Sequence, residues 1–458
     1  MKLGFLGHAS WFLESGGLRL VTDPVLSEAY HDGVFEVFPR RTVDVDGLDP
    51  NVIVVTHRHP DHFDVPTLHL LGQRFPHAHV LTSDPLVVEV CEAFGFREVS
   101  LVDERTVVAL PGGVRMYTTP SLCRVVEWGV LFAGPGGTVW NLVDSAVRSP
   151  DDVRAMLAGA AGALGLPELA EGPDVALVRW CPLRQADGAT SGTLGFPWEE
   201  YAQEVRNAAA TGARTLIPGS CGDRYTGSSA WQNRSVYPVT ESRFLADLAV
   251  LAPRAERFPP RVGASWRLVD GRFHEEAPLP WVTVHASPDD RIFAPFVLPD
   301  IVDPAPPGFD EERALATVAV WCGDVLAPAL QVWAASCSPD RDLSLVVELV
   351  FPSRTVALTF RAGPGGARVD VGADPDHDGL ERVAGSVLLD VIEARSHWGR
   401  ALLGGWMRSV RRGYRMLADG SMQRLDLPAF VLYLGCSYAE STERWTRAEV
   451  ERLLGRPS

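Results

Sequence analysis

Short apolar runs separated by polar turns fill the first half of the chain. The runs at residues 3–6, 11–13 and 18–21, with Gly16-Gly17 between the last two, predict an initial β-hairpin. Strand and helix patterns then alternate, which predicts an α/β layered fold. Strands are expected at residues 52–55, 78–83, 99–110, 174–180 and 215–218, with two more between 114 and 144, and helices at 66–73, 88–94 and 199–211.

Proline becomes frequent after residue 255, and the pattern changes from residue 309. A helical region is expected at 311–336, then strands at 342–351, 355–361 and 363–371, then amphipathic helices at 380–393 and 397–414. We predict four parts: a first domain at 1–255, a proline-rich transition at 256–308, a smaller α+β domain at 309–425, and a tail with a helix at 426–458. Limited proteolysis is expected to cut between about residues 255 and 310.

Four polar side chains follow the apolar run at residues 52–55, namely His57, His59, Asp61 and His62. Because successive side chains alternate, His57 and His59 are expected on one side as two neutral imidazole ligands. Asp61 and His62 can then turn toward a second, adjacent cation. A solvated polar loop is the alternative, but four ligand groups in six residues directly after a buried strand favour a metal site. Three later histidines fit a helix face or a strand edge and are not assigned as ligands: His69, His77 and His79.

The strand followed by HxHxDH resembles the metallo-β-lactamase fold superfamily. The motif Gly7-His8-Ala9-Ser10, the glycine turn and Asp23-Pro24 resemble the branch that contains lactonases and the hydroxylase of CMP-sialic acid. The resemblance covers roughly the first 250 residues and weakens after residue 110. It implies an αββα sandwich, with His8 and Asp23 beneath or beside the metals and His8 as a catalytic candidate with Asp61. From the residues alone, His8 could be a satisfied buried histidine and Asp23 a turn carboxylate.

The same resemblance draws attention to two further acids. Asp144 falls where the superfamily keeps its metal-bridging aspartate, although a helix N-cap is the alternative. The third histidine usual before the Gly-Val-Leu strand and the final histidine after a late proline are both missing, and Cys123 and Glu127 stand near the first of these positions. Glu127 as a ligand would give an oxygen-rich site that suits iron or manganese better than zinc. Alternatively, Glu127 pairs with Arg124 and Cys123 belongs to the core.

Aromatic and charged side chains fill two loops of the first domain. Residues 26–50 could wall a pocket, and the long loop 222–238 is of the kind that closes over substrates. Arg224, Tyr225 and Trp231 are therefore predicted to bind substrate, with plain surface covering as the alternative.

The second domain resembles a sterol-carrier-protein-like domain, in which helices cover a sheet and often enclose an apolar tunnel. The signals are residues 386–405 and a predicted basic helix around Arg408, Arg411 and Arg412. Apolar helix faces that simply pack on their sheet would give the same pattern.

Charge and composition narrow the choice of partners. A net charge of −16 argues against nucleic-acid or anionic-membrane binding, because both partners require a basic surface. The start of the chain lacks a secretory pattern, and no apolar run approaches the roughly 20 residues of a membrane span, so a cytoplasmic protein is expected. The seven cysteines are an odd number without a CxxC pair, which argues against a disulfide framework.

Three functions remain open. The first is hydrolysis of a small-molecule ester, thioester, amide or phosphoester by metal-activated water, on a substrate that can carry an apolar part. The second is oxygen activation by two irons on the same ligands. The third is a non-catalytic binding protein that acts through the second domain. The enzyme hypotheses imply one or two divalent metal ions, zinc or iron, with manganese as a further option.

Overall fold

A computed structural model describes residues 1–122, 127–142, 144–181, 196–220, 222–294, 298–337, 342–363, 365–424 and 438–456. Its strands are β1 (Lys2–Gly7), β2 (Ser10–Ser15), β3 (Leu18–Thr22), β4 (Ala29–Tyr30), β5 (Phe35–Val37), β6 (Arg41–Val43), β7 (Val52–Val55), β8 (His79–Thr82), β9 (Glu98–Leu101), β10 (Val107–Ala109), β11 (Arg115–Pro120), β12 (Trp128–Gly134), β13 (Gly137–Asn141), β14 (Val175–Val178), β15 (Thr215–Pro218), β16 (Asp223–Tyr225), β17 (Glu256–Arg257), β18 (Ser265–Val269), β19 (Arg272–Glu276), β20 (Val282–Val284), β21 (Leu343–Val350), β22 (Thr355–Gly363), β23 (Gly366–Val371), β24 (Gly379–Ala384), β25 (Met407–Arg411), β26 (Tyr414–Met416) and β27 (Met422–Arg424).

The helices that the structure describes are α1 (Val45–Leu48), α2 (Val65–Arg74), α3 (Pro85–Ala93), α4 (Pro150–Leu164), α5 (Trp198–Ala210), α6 (Glu241–Leu251), α7 (Glu311–Trp321), α8 (Ala327–Cys337), α9 (Gly385–Ile392), α10 (Trp398–Leu403) and α11 (Tyr438–Leu453). Seven of them start where the sequence supplies a capping side chain, and four of these seven are helices that cover the two large sheets described below. Asp64, Asp84, Ser149 and Thr240 precede α2, α3, α4 and α6, and each accepts a hydrogen bond from a backbone N–H of the first turn. These caps satisfy backbone donors that a helix start leaves unpaired.

Eight strands form the first sheet, in the order β19-β18-β1-β2-β3-β7-β8-β9. The first five are antiparallel neighbours, whereas β7, β8 and β9 run parallel to β3. All four residues of β7 are buried, as expected for a strand covered on both faces. Because β1, β3 and β7 point the same way, the loops that follow them leave the sheet at one edge.

Seven strands form the second sheet, in the order β10-β11-β12-β13-β14-β15-β17. The strands from β10 to β13 form an antiparallel meander, and β13, β14, β15 and β17 are parallel. The start of β12 and the end of β13 therefore lie at the same edge of this sheet.

Three clusters of buried apolar side chains define four layers in the first part of the chain. One cluster lies between the two sheets and includes Phe5, Trp11, Trp128 and Phe132. A second packs α2 and α3 on the outer face of the first sheet, and a third packs α4, α5 and α6 on the outer face of the second. This order of helix, sheet, sheet and helix is an αββα sandwich, so the predicted fold class is confirmed.

The first sheet extends beyond the predicted boundary at residue 255. Strand β18 pairs with β1, β19 pairs with β18, and β20 pairs with β6. The sequence reasoning assigned these strands to the proline-rich transition because two strands of five residues and one of three do not stand out between prolines. We place the boundary after Val284, which narrows the expected proteolytic stretch to residues 285–308.

Five strands of the last part form a separate sheet, in the order β23-β22-β21-β24-β25. Helices α7, α8, α9 and α10 share one buried apolar cluster with this sheet, and Trp398 and Phe360 lie fully buried within it. This is an α+β arrangement, while the likeness to a sterol carrier protein stays a prediction.

Two helices predicted near this end are wrong in extent. Residues 380–393 begin as strand β24 and turn helical only at Gly385, and residues 397–414 contain α10 followed by β25 and the start of β26. Arg408 and Arg411 therefore lie on a strand, and Arg412 follows it. Because β24 lies between β21 and β25, ladder hydrogen bonds and the burial of Val383 outweigh a short helical pattern.

One helical segment of the second part is unusually long and apolar. Helices α7 and α8, joined by the π-helical turn Cys322–Leu326, form a 25-residue segment, Glu311–Ala335, that is long and apolar enough to cross a membrane. Val318, Leu326 and Leu330 nevertheless pack into the apolar cluster of the second sheet. The expectation that no apolar stretch approaches the length of a membrane span is wrong, but one such helix is weak evidence by itself and no span is assigned to it.

Candidate metal centre

Ligand-bearing residues from both sheets meet at one edge of the sandwich. His8 follows β1, Asp23 follows β3, and the loop of residues 57–62 follows β7. Glu127 directly precedes β12 and Asp144 follows β13, so both belong to the second sheet. Residues far apart in the sequence thus converge because their strands end at the same edge.

The first set of ligands, here called the imidazole subsite, consists of His57, His59 and Glu127. One ligand atom from each lies within 4.8 Å of the other two. The His57 Nε2 and His59 Nδ1 atoms are 2.8 Å apart. Glu127 is 8% exposed, and one of its oxygens accepts hydrogen bonds from the Ser121 hydroxyl and the Ala146 N–H. The carboxylate is therefore fixed beside the two imidazoles, while Cys123 and Arg124, the other residues considered at this position, lie outside the described residues.

The second set, the carboxylate subsite, consists of Asp61, His62 and Asp144, with His8 beside them. His62 Nε2 lies 3.3 Å from Asp144 Oδ2 and 3.5 Å from Asp61 Oδ2, and His8 Nε2 lies 3.3 Å from the same Asp61 oxygen. His57, His62 and Asp144 also form a ligand group, which places Asp144 between the two subsites. The alternative role for Asp144 is wrong, because Ser149 provides the N-cap of the next helix.

Asp23 contacts ligands of both subsites on the side away from the ligand groups, His62 directly and His57 through Thr56. It is fully buried and left-handed in backbone (φ 43°), and its carboxylate accepts hydrogen bonds from the Thr56 N–H at 2.8 Å and from the Thr56 hydroxyl. The His62 Nδ1 atom lies 3.1 Å from Asp23, and the Thr56 hydroxyl lies 3.0 Å from His57 Nδ1. These contacts fix the rings and turn His57 Nε2 and His62 Nε2 toward the ligand groups, as outer partners of metal ligands do.

The two subsites differ in charge. Burial, together with His62 and His59, holds the pKa of His57 well below its usual range, and burial also lowers the pKa of His59. Burial alone would lower the pKa of His62, but the surrounding carboxylates outweigh it and raise that pKa well above its usual range. Asp61 is the reverse case, because His62 and the two hydrogen-bonded histidines overcome burial and lower its pKa. The imidazole subsite therefore offers two neutral rings beside the Glu127 carboxyl group, and the carboxylate subsite favours a positive charge.

The donor set fits a metal ion. Two ligands of one zinc ion, each about 2.1 Å from it, lie at most about 4.2 Å apart, so the observed groups need only small rotations. The buried His62 Nε2 atom makes no hydrogen bond with any described residue, and the same holds for His8 Nδ1. Asp61 and Asp144 keep 24% and 32% of their side chains exposed, and His59 is also partly exposed, so the centre opens to solvent at these three residues.

The three predicted substrate-binding residues belong to none of the ligand groups found among the described residues. Arg224 pairs with Glu36 and stacks on the Phe38 ring. Tyr225 is buried against Phe35, with the ring centroids 4.4 Å apart. Trp231 lies under the guanidinium of Arg408 from the second part of the chain. These contacts describe packing between elements, and a role in substrate binding stays a prediction for all three.

Sequence reasoning missed His31, which lies in the loop between β4 and β5. Its Nε2 atom is 3.7 Å from Asp61 Oδ1, and the residue is 5% exposed. No spacing rule connects a histidine thirty residues upstream to the metal loop. The only signal was the unusual density of aromatic and charged residues in residues 26–50.

Fold and donor set together define a class, an αββα domain with metal ligands after a central strand. Residues 2–121 match the family described as beta-lactamase superfamily domain, so this part of the chain is similar to that superfamily. This confirms the resemblance at the level of the superfamily, and the lactonase branch stays a prediction.

Curated relatives are named as metal-dependent hydrolases. A UPF0173 metal-dependent hydrolase of Pyrobaculum aerophilum is 29% identical over 152 residues, and one of Pyrobaculum islandicum is 30% identical over 157 residues. Each match covers 32% of this chain and 63% of the relative, so the chain spans less than two thirds of these proteins. The matches support the domain, and the activity of the whole protein is left to proposal.

Solved structures with some similarity include an isothiocyanate hydrolase from gut bacteria of Delia radicum, with a TM-score of 0.38 and 15% identity over 59% of this chain and 100% of that one. A mutant of the CmlA beta-hydroxylase has a TM-score of 0.39 and 19% identity over 58% of this chain and 54% of that one. At these TM-scores neither structure bears on the chemistry.

Proposed function

We propose that the protein is a metal-dependent hydrolase of small molecules, with its centre at the imidazole and carboxylate subsites. The observation that carries the proposal is the convergence of His57, His59, Asp61, His62 and Asp144, with Glu127, at one sheet edge. When bound there, a metal ion polarises a carbonyl or phosphoryl oxygen and lowers the pKa of bound water from about 15.7 toward 7. The hydrolase names of the curated relatives support the same reaction class.

The chain's own residues supply ligands, orientation and proton handling. Asp61 is partly exposed at the mouth of the centre, where its carboxylate can orient a nucleophile toward the substrate. His8 Nε2 lies within hydrogen-bond distance of Asp61 Oδ2, at 3.3 Å, and this contact raises the pKa of His8 against the effect of burial. The pair can therefore hold a proton at His8 during attack on an ester, thioester, amide or phosphoester.

A panel of small esters, thioesters, amides and phosphoesters tests the proposal on protein loaded separately with zinc, manganese and iron. We expect turnover of one class, lost in the double variant His57→Ala/His59→Ala and kept in His79→Ala, a histidine outside every ligand group. Metal-loaded protein that hydrolyses no class would contradict the proposal.

A second candidate, oxygen activation by two irons, has one observation in its favour. Glu127 lies within ligand distance of His57 and His59, where carboxylate oxygen suits iron or manganese better than zinc. The names of the curated relatives favour hydrolysis instead. Oxygen uptake by the reduced, iron-loaded protein, without hydrolysis of the panel, would reverse this preference.

A further inference from the structure

The loops that carry the metal ligands contact two helices from the C-terminal part of the chain. These helices, here called the docking helices, are α10 with the residues just before it and α11. Among their contacts with the first domain, two lie next to metal ligands.

The first contact is the turn that carries His31. His31, Asp32 and Gly33 all have left-handed backbones, with φ of 50°, 53° and 82°. On one side His31 Nε2 faces Asp61 Oδ1 at 3.7 Å. On the other side its ring lies 5.3 Å from the ring of His397, and the Asp32 carboxylate accepts a hydrogen bond from the Ser396 hydroxyl. The start of α10 therefore fixes the turn that presses His31 toward a metal ligand.

Gly399, in the first turn of α10, shows how close this contact is. A Cβ atom built at Gly399 would lie 3.2 Å from His31 Nδ1 and 2.6 Å from His397 Cε1. A side chain at this position would displace one of the two rings. The fit between α10 and the His31 turn thus depends on the absence of a side chain.

The second contact involves Arg58, which stands between the ligands His57 and His59. Its guanidinium donates to Asp84 at 2.8 Å and to Glu443 of α11 at 2.5 Å. The Arg58 side chain is 19% exposed and that of Asp84 is 1% exposed, so these charge-assisted hydrogen bonds are partly shielded from water. Helix α11 therefore helps to set the backbone that aims both imidazoles.

Helix α11 is also held at places that do not touch the metal loop. Val450 is buried in the apolar cluster over α2 and α3. Arg447 forms a two-pronged, exposed ion pair with Glu89, at 3.0 and 3.1 Å. The same helix thus has one ion pair at the metal loop and one away from it, and Arg447 also lies 3.6 Å from Glu443, so a matched control removes the Arg447 pair with Glu89 and leaves Arg58 paired.

We propose that the docking helices are part of the metal centre, because they position His31 against Asp61 and Arg58 between His57 and His59. Docking of the helices and binding of metal then stabilise each other. If docking raises the affinity for metal by fixing the ligand geometry, thermodynamic linkage requires that bound metal stabilises docking by the same free energy. His31, Arg58, Ser396 and Glu443 are positioning residues, because each acts through a ligand or through its loop. The inference rests on the proposed metal centre.

The direct test compares Glu443→Gln with Glu89→Gln in the full chain. Each variant neutralises one carboxylate of an ion pair that joins α11 to the first domain, and each carboxylate also faces Arg447, but only Glu443 pairs with Arg58. Metal dissociation constants are measured for zinc by competition with a chromophoric chelator, beside the thermal midpoint. We expect Glu443→Gln to weaken zinc binding about 10-fold, as loss of an outer partner does, and Glu89→Gln to change it less than about 2-fold. Equal effects in both variants, or no effect of Glu443→Gln, would overturn the proposal.

Hydrogen exchange on the unaltered protein gives a second test that needs no variant. With zinc added, the amides of α10 and α11 should exchange several-fold more slowly, while those of α7, whose buried side chains belong to the apolar cluster of the second sheet, should not change. Exchange in α10 and α11 that ignores zinc would overturn the coupling. If His57→Ala/His59→Ala keeps its metal, the centre itself is misplaced and both proposals fall. If that variant loses metal but Glu443→Gln behaves like Glu89→Gln, only the coupling fails.

Discussion

The imidazole and carboxylate subsites lie side by side on one loop, yet they are built in opposite ways. The imidazole subsite joins two neutral rings, one buried and one partly buried, to one carboxylate that comes from the other sheet. The carboxylate subsite surrounds the His62 ring with acids and opens to solvent. We infer that the neutral rings of the first subsite serve to retain a cation. The carboxylates of the second subsite instead stabilise positive charge at the place where substrate can arrive.

The largest effect is expected from removing the shared rings. His57→Ala/His59→Ala should abolish metal retention, because His57 belongs to both ligand groups on this side. The fold should persist, since the strand before the loop remains buried. Elemental analysis with circular dichroism measures both, and His79→Ala serves as the control. Full metal content in the double variant would show that the site is wrong.

Glu127 decides what kind of metal the imidazole subsite prefers. Glu127→Ala should lose one metal per chain, and Glu127→His should raise zinc retention relative to iron, because carboxylate oxygen favours iron more than imidazole does. The control is Glu204→Gln, a carboxylate that pairs with Arg179 and belongs to none of the ligand groups among the described residues. Metal content that is unchanged in both Glu127 variants would remove Glu127 from the site.

Asp23 joins the two subsites, so its loss should weaken both. Asp23→Asn keeps the shape but cannot accept from the Thr56 N–H, the Thr56 hydroxyl and His62 as a carboxylate does. We expect metal affinity to fall about 10- to 100-fold. Asp64→Asn, which alters a similarly buried helix cap, should lower the thermal midpoint without this loss. Weakening of only one subsite would mean that Asp23 does not connect them.

The smallest expected effect is a difference between the two subsites in how metal affinity depends on pH. The raised pKa of His62 means that its proton must leave before a metal can bind, so affinity at the carboxylate subsite should rise by up to about tenfold per pH unit as pH increases. The lowered pKa of His57 leaves that ring already neutral above its usual value of 6.5, so the imidazole subsite should show little slope there. Calorimetric titrations at pH 6.5, 7.5 and 8.5 would measure both slopes. Parallel slopes would contradict the difference in charge.

The local sequence determined most of the strands and helices of the first domain, and it determined the loop of residues 57–62 that carries four of the candidate ligands. A buried run followed by His57, His59, Asp61 and His62 predicts ligands at a strand end, because backbone geometry alone brings such close neighbours together. Alternating strand and helix patterns likewise predicted the layered fold, since each element buries one apolar face. The strands at 256–284 and at 379–384 were missed, because their few residues make sheet only through their partners.

The residues from distant parts of the chain that lie beside the loop of residues 57–62 are set by the packing of whole elements in the tertiary structure. Glu127 reaches His57 because β12 starts where β7 ends, and His31 reaches Asp61 because the C-terminal α10 holds its turn. Trp231, predicted from its place in an aromatic loop to bind substrate, packs under Arg408 from the second part of the chain, a contact that no local pattern indicates. Sequence patterns report the period of a single element, whereas contacts between sheets and between parts of the chain depend on how whole elements pack.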